Sequence, residues 1–343
     1  NVTSYIYFMG DSMNIYDIAE KAGVSIATVS RVINGAKSVS AKTKDKVLRV
    51  ISDTSYTPNV FARGLGLDSI KMIGVLCIDV ADMYYAKAVS AIHKLLRSKD
   101  YDVLMYCTGD DRKNKQLCLK RLLDMRVDAI FTVGSAFKDN LPDSDLKHAA
   151  QSVPIIMINA EADVPNVHCV LCDEAAATYE NVRLLYAAGC RHILYLYDSE
   201  SSSGKAKHLG FARATEELRI ASACYCVKSE RDVAVSAADF QTACAMHPCI
   251  DAVLTSEDIL AAGVLRRLAK ERRALPVIGF NNSFLAECTV PSLTSVDNMA
   301  EALCATGVSL LSEIFSGNIV ATRTVLSPKL VQRESFVIDS NIE

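Results

Sequence analysis

Residues 15–35 read IYDIAEKAGVSIATVSRVING, and this stretch supplies each residue type that a helix-turn-helix requires. Ala19 is small where two helices must cross closely, Gly23 stands where the turn needs positive φ, and Ile18, Val24, Val29 and Val32 are spaced to share one core. Ser25 is placed to cap the second helix, and Asn34-Gly35 to end it. The solvent side of that helix carries Ile26, Ala27, Thr28, Ser30 and Arg31, short tips suited to base edges and phosphates in a major groove. An ordinary helical hairpin in a larger core is the competing reading. Against it, Ser40 caps a third helix over 41–54 with Val47, Leu48 and Ile51 at inward spacing, and Tyr56, Pro58 and Asn59 end it. Three such helices close into a small module.

Charge separates this module from the remainder. The chain of 343 residues is too long for one core, and its formal charge is −3, yet residues 13–71 hold nine Lys/Arg against five acids, a local +4. A small basic head on an acidic body fits a phosphate-binding module joined to a domain that does not touch nucleic acid.

From Met72 onward short apolar runs alternate with amphipathic ones. Strands are expected over 72–79, 102–107, 129–134, 155–159, 192–197, 252–256 and 277–281, with helices over 84–99, 112–125, 174–189, 204–218, 258–273 and 298–316. Aliphatic strands joined by helical crossovers imply parallel sheets, and their number implies two. The expected class is therefore α/β, a small all-α head followed by a two-lobed body of two parallel α/β sheets. Open sheets of this kind bind ligands at the carboxyl ends of their strands. Asp79, Asn159, Glu257, Asp258 and Asn281 fall at such ends, and Tyr84 and Tyr85 open the helix after the first strand. Carboxylates and amides grip adjacent hydroxyls and a tyrosine face stacks on a pyranose, so the set suits a saccharide. Helix capping is the local alternative for the Asn and Asp positions.

Twelve cysteines without a secretory leader point to a reducing cytoplasm, and the opening NVTSYIYFMGDS lacks the features of a signal peptide or membrane anchor. Cys169 and Cys172 have CxxC spacing, which invites a redox or zinc reading. No second pair or suitably spaced histidines complete a site, and VHCVLCD reads as a buried strand; Cys224 and Cys226 alternate on another. Phosphate-cradling glycine loops, a nucleophile elbow, HExxH and a convincing catalytic carboxylate pair are all missing, so no catalytic residue, cofactor or metal ligand is assigned. Gly64 and Gly66 weaken any helix over 59–66, which should order only when packed.

Several motifs carry a resemblance: TVSRVING (28–35), VSAKTKDKV (39–47), YTPN (56–59), ARGL (62–65), IGVL (73–76), VPSLTSVD (290–297) and LVQRES (330–335). With these the chain resembles the lactose repressor and galactose repressor family of bacterial transcription regulators. The resemblance implies a body like periplasmic sugar-binding proteins, with the chain crossing between lobes three times. It also implies a hinge that folds on DNA beside its copy from a second subunit, with Leu65 as the minor-groove wedge. The expected layout is an unassigned extension over 1–12, the DNA-binding domain over 13–57, the hinge over 58–70 and the effector-binding and dimerisation domain over 71–343. Lobe 1 then takes about 71–160 and 298–322, and lobe 2 about 161–296 and 323–338. Candidates for DNA contact are Ile15, Tyr16, Ser25, Ile26, Ala27, Thr28, Ser30, Arg31, Asn34, Ser38, Ser40, Tyr56, Asn59, Ala62 and Leu65. In the cleft, Met83-Tyr84-Tyr85 stands where the family often has an asparagine-proline-aromatic-aromatic run. Lys207 stands where the family supplies an arginine, but a lysine lacks the planar fork, and Lys205 is a candidate to share the role. The expected molecule is a homodimeric, cytoplasmic repressor of carbohydrate-use genes, reading a near-palindromic operator under control of a sugar; a receptor-like protein with a non-sugar effector such as a nucleobase is the alternative. The residues after LVQRES carry no leucine heptad, so the tetramer of some relatives is not expected.

Overall fold

The computed structural model describes residues 13–33, 36, 38–54 and 69–337. Asn34, Gly35, Tyr56, Asn59, Ala62, Leu65, the hinge glycines Gly64 and Gly66, and the extension 1–12 lie outside the described residues. The chain divides into two compact units, residues 1–70 and 71–343.

In the first unit, local polar contacts start and stop each helix. Asn14 Oδ1 accepts from the amides of Tyr16 (2.8 Å) and Asp17 (3.3 Å), and Asp17 Oδ2 accepts from the Asn14 amide (2.7 Å), a reciprocal cap that opens α1 (Ile15–Ala22). Gly23 ends α1 at φ 58° and donates to Glu20 O at 3.0 Å. Ser25 Oγ accepts the Thr28 amide at 3.2 Å to open α2 (Ile26–Ile33), and Ser40 Oγ accepts that of Thr43 at 3.3 Å to open α3 (Ala41–Ser52). Ile18, Ala19, Ala22, Val29, Val32 and Val47 form the buried centre, with Val24, Val50 and Ile51 packed around it. Leu48, expected to face inward, is instead 43% exposed. The inward face of α3 centres on Val47 with Val50 and Ile51 three and four residues on, and Leu48 lies about 100° away from it.

The first sheet of the body contains β1 (Met72–Cys77), β2 (Asp102–Cys107), β3 (Ala129–Val133), β4 (Ile155–Ile158), β5 (Val167–Cys172) and β11 (Arg323–Leu326), ordered β11-β5-β4-β3-β1-β2 with every pair parallel. The second contains β6 (Ile193–Tyr197), β7 (Tyr225–Lys228), β8 (Ala252–Thr255), β9 (Val277–Phe280), β10 (Thr294–Asp297) and β12 (Lys329–Val331), ordered β12-β10-β9-β8-β6-β7, with β12 antiparallel to β10. Alternation along each strand feeds a core on both faces: Ile73, Val75 and Cys77 enter one cluster with Phe131 and Leu303, while Leu76 and Ile130 enter the opposite one. The covering helices are α4 (Met83–Arg97), α5 (Arg112–Asp124), α6 (Ala136–Asn140), α7 (Asp143–Ala150), α8 (Glu174–Ala187), α9 (Ser202–Glu217), α10 (Val233–Met246), α11 (Asp258–Glu271), α12 (Phe284–Cys288) and α13 (Ala300–Phe315). Of these, α6, α7, α10 and α12 were not expected from the sequence, nor were β10, β11 and β12. The last two are half-exposed strands of three or four residues, and α10 has alanines on every side, so neither kind shows a clear apolar period.

The chain passes between lobes after Cys172, after Asp297 and after Leu326, three crossings in all. The lobe boundaries expected at 160/161 and 322/323 need correction, because β5 pairs with β4 and β11 with β5, which keeps 161–172 and 323–326 in lobe 1. Helix α13 packs on α4, β4 and β5, and so belongs to lobe 1 as expected.

The Gly23 turn gives a direct test of the head. A Cβ at Gly23 would approach only the flexible Lys46 Nζ, at 3.3 Å, so the cost of Gly23→Ala is conformational, about 1–2 kcal/mol for a left-handed alanine. Amide exchange of the full chain should quicken across 15–52 and stay unchanged in the body. Undiminished protection of the head contradicts this account of the turn.

Candidate functional site

The head presents one polar helix face. Ser25, Ile26, Ala27 and Arg31 are exposed and Thr28 and Ser30 half-buried, while Val29 and Val32 turn inward. Tyr16 is 66% exposed, whereas Ile15, grouped with it as a DNA contact, packs against the head core. Ser38 is exposed; Ser40 is exposed too, but its hydroxyl accepts the cap hydrogen bond of α3.

In the body both sheets have their first crossover reversal beside the same seam. The strand ends there enclose a cavity of about 460 Å³ lined from both lobes, the place where open α/β sheets bind ligands. Asp79, Tyr84, Tyr85, Asn159, Lys207, Glu257 and Asn281 all line it. Lys205 does not. Two residues along a helix are turned by about 200°, so Lys205 is exposed on another hollow beside Tyr197, His208 and Leu209 and cannot share the role of Lys207. Asp258 is also excluded: its buried carboxylate accepts from the Ser283 amide (2.6 Å), Ser283 Oγ (2.8 Å) and Ser295 Oγ (2.5 Å), tying the segment after β9 and the beginning of β10 to the start of α11.

The amides are partly committed to the frame. Asn159, at φ 54°, accepts the Cys172 amide (3.2 Å) and donates to Glu174 Oε1 (3.1 Å), thereby bracing the first crossing. Asn281 donates to Glu257 and accepts from Asn298 Nδ2 at 2.8 Å. Tyr84 and Tyr85 meet edge to face, 5.3 Å between centroids, and Tyr85 lies against Gly134, where any Cβ would fall 2.5 Å from its ring. The Tyr84 hydroxyl is buried with no hydrogen-bond partner among the described residues.

Two cations organise the rest. Lys207 is buried, donates to Ser256 O at 2.9 Å, stands 3.6 Å from Glu257 and lies over the Phe280 ring at 4.1 Å. Burial opposes its charge, but Glu174, Glu257 and Asp198 outweigh burial and raise its pKa. Arg231, which sequence reasoning missed, follows β7 and reaches Asp82 (2.7 Å), Glu257 (3.1 Å) and Asp198 (3.6 Å). Asp82 caps α4 of lobe 1, so this contact joins the lobes. Asp139 joins them again, accepting from the Ser202 amide (2.9 Å) and hydroxyl (2.5 Å). Asp82, Asp110, Glu174, Asp198 and Asn298 also line the cavity without having been anticipated. The strand-end rule could have found Asp198, directly after Tyr197. Arg231 had no such signal, since β7 is short and half-exposed.

Cys169 and Cys172 occupy β5 with their side chains in opposite clusters, so they cannot share a ligand. Among the described residues no group of three or more His, Cys, Asp or Glu side chains is placed to hold a metal ion, and no helix is long and apolar enough to cross a membrane.

A helix-turn-helix head with a separate two-lobed ligand receptor defines a DNA-binding transcription regulator. Residues 14–59 match the model of the bacterial regulatory proteins of the lacI family, and residues 182–336 match the periplasmic binding protein-like domain. An HTH-type transcriptional regulator of Lachnoclostridium phytofermentans is 43% identical over 338 residues, covering 94% of this chain and 99% of the relative. The lac repressor dimer bound to operator and the anti-inducer ONPF superposes with a TM-score of 0.82 at 24% identity, covering 94% and 99% of the two chains. The transcriptional regulator CelR in complex with cellobiose gives 0.67 at 23% identity over 94% and 100%. This chain belongs to the lacI family of bacterial transcription regulators.

Glu257 yields a pH test. Burial pushes its carboxyl from 4.5 up to about 7, against the pull of Lys207 and Arg231. Between those values the native chain keeps a proton that the unfolded chain has lost, so this group erodes stability as pH rises through the window and the erosion is complete above it. The stability of Glu257→Gln relative to the parent should therefore climb from about pH 5 to about pH 7 and then level, read from urea midpoints. A pH-independent difference contradicts the shift.

Proposed function

We propose that this chain is a saccharide-responsive repressor of carbohydrate-use genes that binds a near-palindromic operator as a homodimer in the cytoplasm. The observation that carries the saccharide reading is the cleft itself, where carboxylates, amides and a tyrosine pair from both lobes converge on one cavity. Such groups supply directional hydrogen bonds to vicinal hydroxyls and an aromatic face for the apolar side of a sugar ring. The cellobiose bound by CelR supports this class of effector.

Residues 13–57 read DNA in this proposal, 58–70 form the hinge and 71–343 bind effector and the second subunit. Ile26, Ala27, Thr28, Ser30 and Arg31 approach bases and phosphates from α2, with Tyr16, Ser25, Ser38 and Ser40 around them and Asn34, Tyr56, Asn59, Ala62 and Leu65 contributing from the segments not described. Asp79, Tyr84, Tyr85, Asn159, Lys207, Glu257 and Asn281 form the effector set. The lac repressor dimer on its operator supports the two-headed arrangement. Effector binding changes the balance between lobe arrangements and thereby operator affinity.

Arg31→Ala should abolish specific operator protection while effector binding persists, as measured by footprinting and calorimetry on the same preparation. Protection at parental concentrations contradicts the recognition-helix assignment. Asn281→Ala should weaken effector binding by about 1–3 kcal/mol, because it unpairs Asn298 and removes a donor from Glu257. A thermal-shift panel of monosaccharides, disaccharides, nucleobases and sugar phosphates selects the ligand for that calorimetry. Stabilisation by nucleobases alone overturns the saccharide reading.

A further inference from the structure

Cys77 and Cys107 end neighbouring parallel strands and stand directly opposite each other in register. Ile73, Val75 and Cys77 of β1 and Val103 of β2 join one apolar cluster, so the two-residue period of a strand puts both cysteines on the same side of the sheet. Their sulfurs are 3.9 Å apart, within reach of a thiol–thiol hydrogen bond. The surroundings of the two differ. Cys77 is fully buried, whereas β2 is an edge strand and Cys107 is exposed. A free cysteine ordinarily packs inside as a small apolar group, and Cys107 does not.

The geometry admits a covalent bond. Adjacent strands lie about 4.7–4.9 Å apart, inside the roughly 4.4–6.8 Å that a disulfide spans between Cα atoms. The bond also holds its Cβ atoms only about 3.5–4.5 Å apart, less than the strand spacing, so forming it draws the two strand ends together. Those ends border the effector cavity. Ile78 and Asp79 follow Cys77, Asp110 comes three residues after Cys107, and all three line the cavity. Between them the Thr108 amide donates to Cys77 O at 2.8 Å and the Gly109 amide to Ile78 O at 3.0 Å, which fixes the sulfurs at the point where both strands enter the cleft.

We propose that Cys77 and Cys107 form a redox-modification site, at which a small disulfide converts the dithiol to a cystine that ties together two strand ends bordering the effector cavity. Cys107, the accessible thiol, gives up its proton and its sulfur attacks one sulfur of the small disulfide. That S–S bond breaks, and the departing thiolate takes up the proton. Cys77 then gives up its own proton and attacks Cys107 Sγ, expelling the second small thiol. Two electrons pass from the cysteine pair to the small disulfide, which leaves as two thiols. The order follows from the surroundings. Burial, then the neighbouring Cys107, then Asp79 push the Cys77 thiol up to about 12, so Cys77 does not begin the exchange. Capping Cys107 removes its charge and its hydrogen bond, two of the causes that keep Cys77 protonated. The resulting cystine has an exposed sulfur, which leaves it open to reduction by thiols.

Mass spectrometry on the full chain, treated with excess oxidised glutathione and digested with trypsin, tests this. Residues 72–87 and 100–112 each form a tryptic peptide with a single cysteine. The two should appear joined, two hydrogens lighter than their sum, and should separate in dithiothreitol. Cys77→Ala should halt the reaction at a glutathione adduct on Cys107, and Cys107→Ser should leave Cys77 unmodified. Cys107 is exposed, so its variant remains a readout if the buried substitution impairs folding. In the oxidised chain, amide exchange over 78–82 and 108–111 should slow by roughly threefold to tenfold, because tethered strand ends open less often. Peptides 72–87 and 100–112 left unlinked, whether or not the exposed Cys226, Cys249 and Cys288 take up glutathione, overturn the site. Two copies of 100–112 joined to each other overturn it as well, assigning Cys107 to a contact between chains. Linked peptides with unchanged exchange overturn the tie to the cavity.

Discussion

The arrangement of the body depends on a guanidinium held among carboxylates of two lobes. Each lobe has its own sheet, with apolar clusters on both faces. Neither lobe needs the other to bury its core, so the three connecting segments leave their relative position underdetermined. Arg231 limits that freedom by reaching Asp82 across the seam while Glu257 and Asp198 hold it from its own side, and Asp139 limits it again by accepting from Ser202. The Arg231 side chain is 43% exposed, and water screens the pairs. Such a partly solvated network adds little net stability, and its effect is to orient the lobes through several contacts at once. It selects a lobe arrangement rather than stabilising either lobe.

Much of this design is legible in the amino-acid sequence, for identifiable physical reasons. Caps are local chemistry, and Ser25 and Ser40 sit where helix starts require them. Strands buried on both faces leave unbroken aliphatic runs, which revealed β1, β3, β4, β6, β8 and β9 and hence the strand ends bearing Asp79, Asn159, Glu257 and Asn281. What failed was phase and pairing. Lys205 and Lys207 differ by two residues, but helical rotation puts one in water and the other, buried, on the cavity wall. Glu257 and Asp258 are adjacent, yet one faces the cavity and the other ties β9 to β10. The lobe boundaries failed because the partners of β5 and β11 are set by long-range pairing that no local pattern encodes.

The exposed face of α2 follows from the same economy of side chains. Val29 and Val32 must turn inward to meet Ile18 and Val47, so Ile26, Ala27 and Arg31 are left outside by helical phase. None of the first two has a long polar chain that could shield the backbone of the helix from a close neighbour. A helix with small tips on its outer face can lie deep in a groove about 12 Å wide, which a face of glutamates and lysines could not do.

Lysine in the place where the family supplies arginine acquires a physical sense from Arg231. A lysine at position 207 is a point charge, and it is held inward by Ser256 O, the Phe280 ring and Glu257. The planar fork enters instead from the end of β7, where its separate nitrogens reach carboxylates of different lobes. Any ligand oxygen that accepts from this guanidinium competes with Asp82, the partner that closes the seam. A ligand that drew on these donors would thereby interact differently with different lobe arrangements, the condition for a ligand to shift their balance.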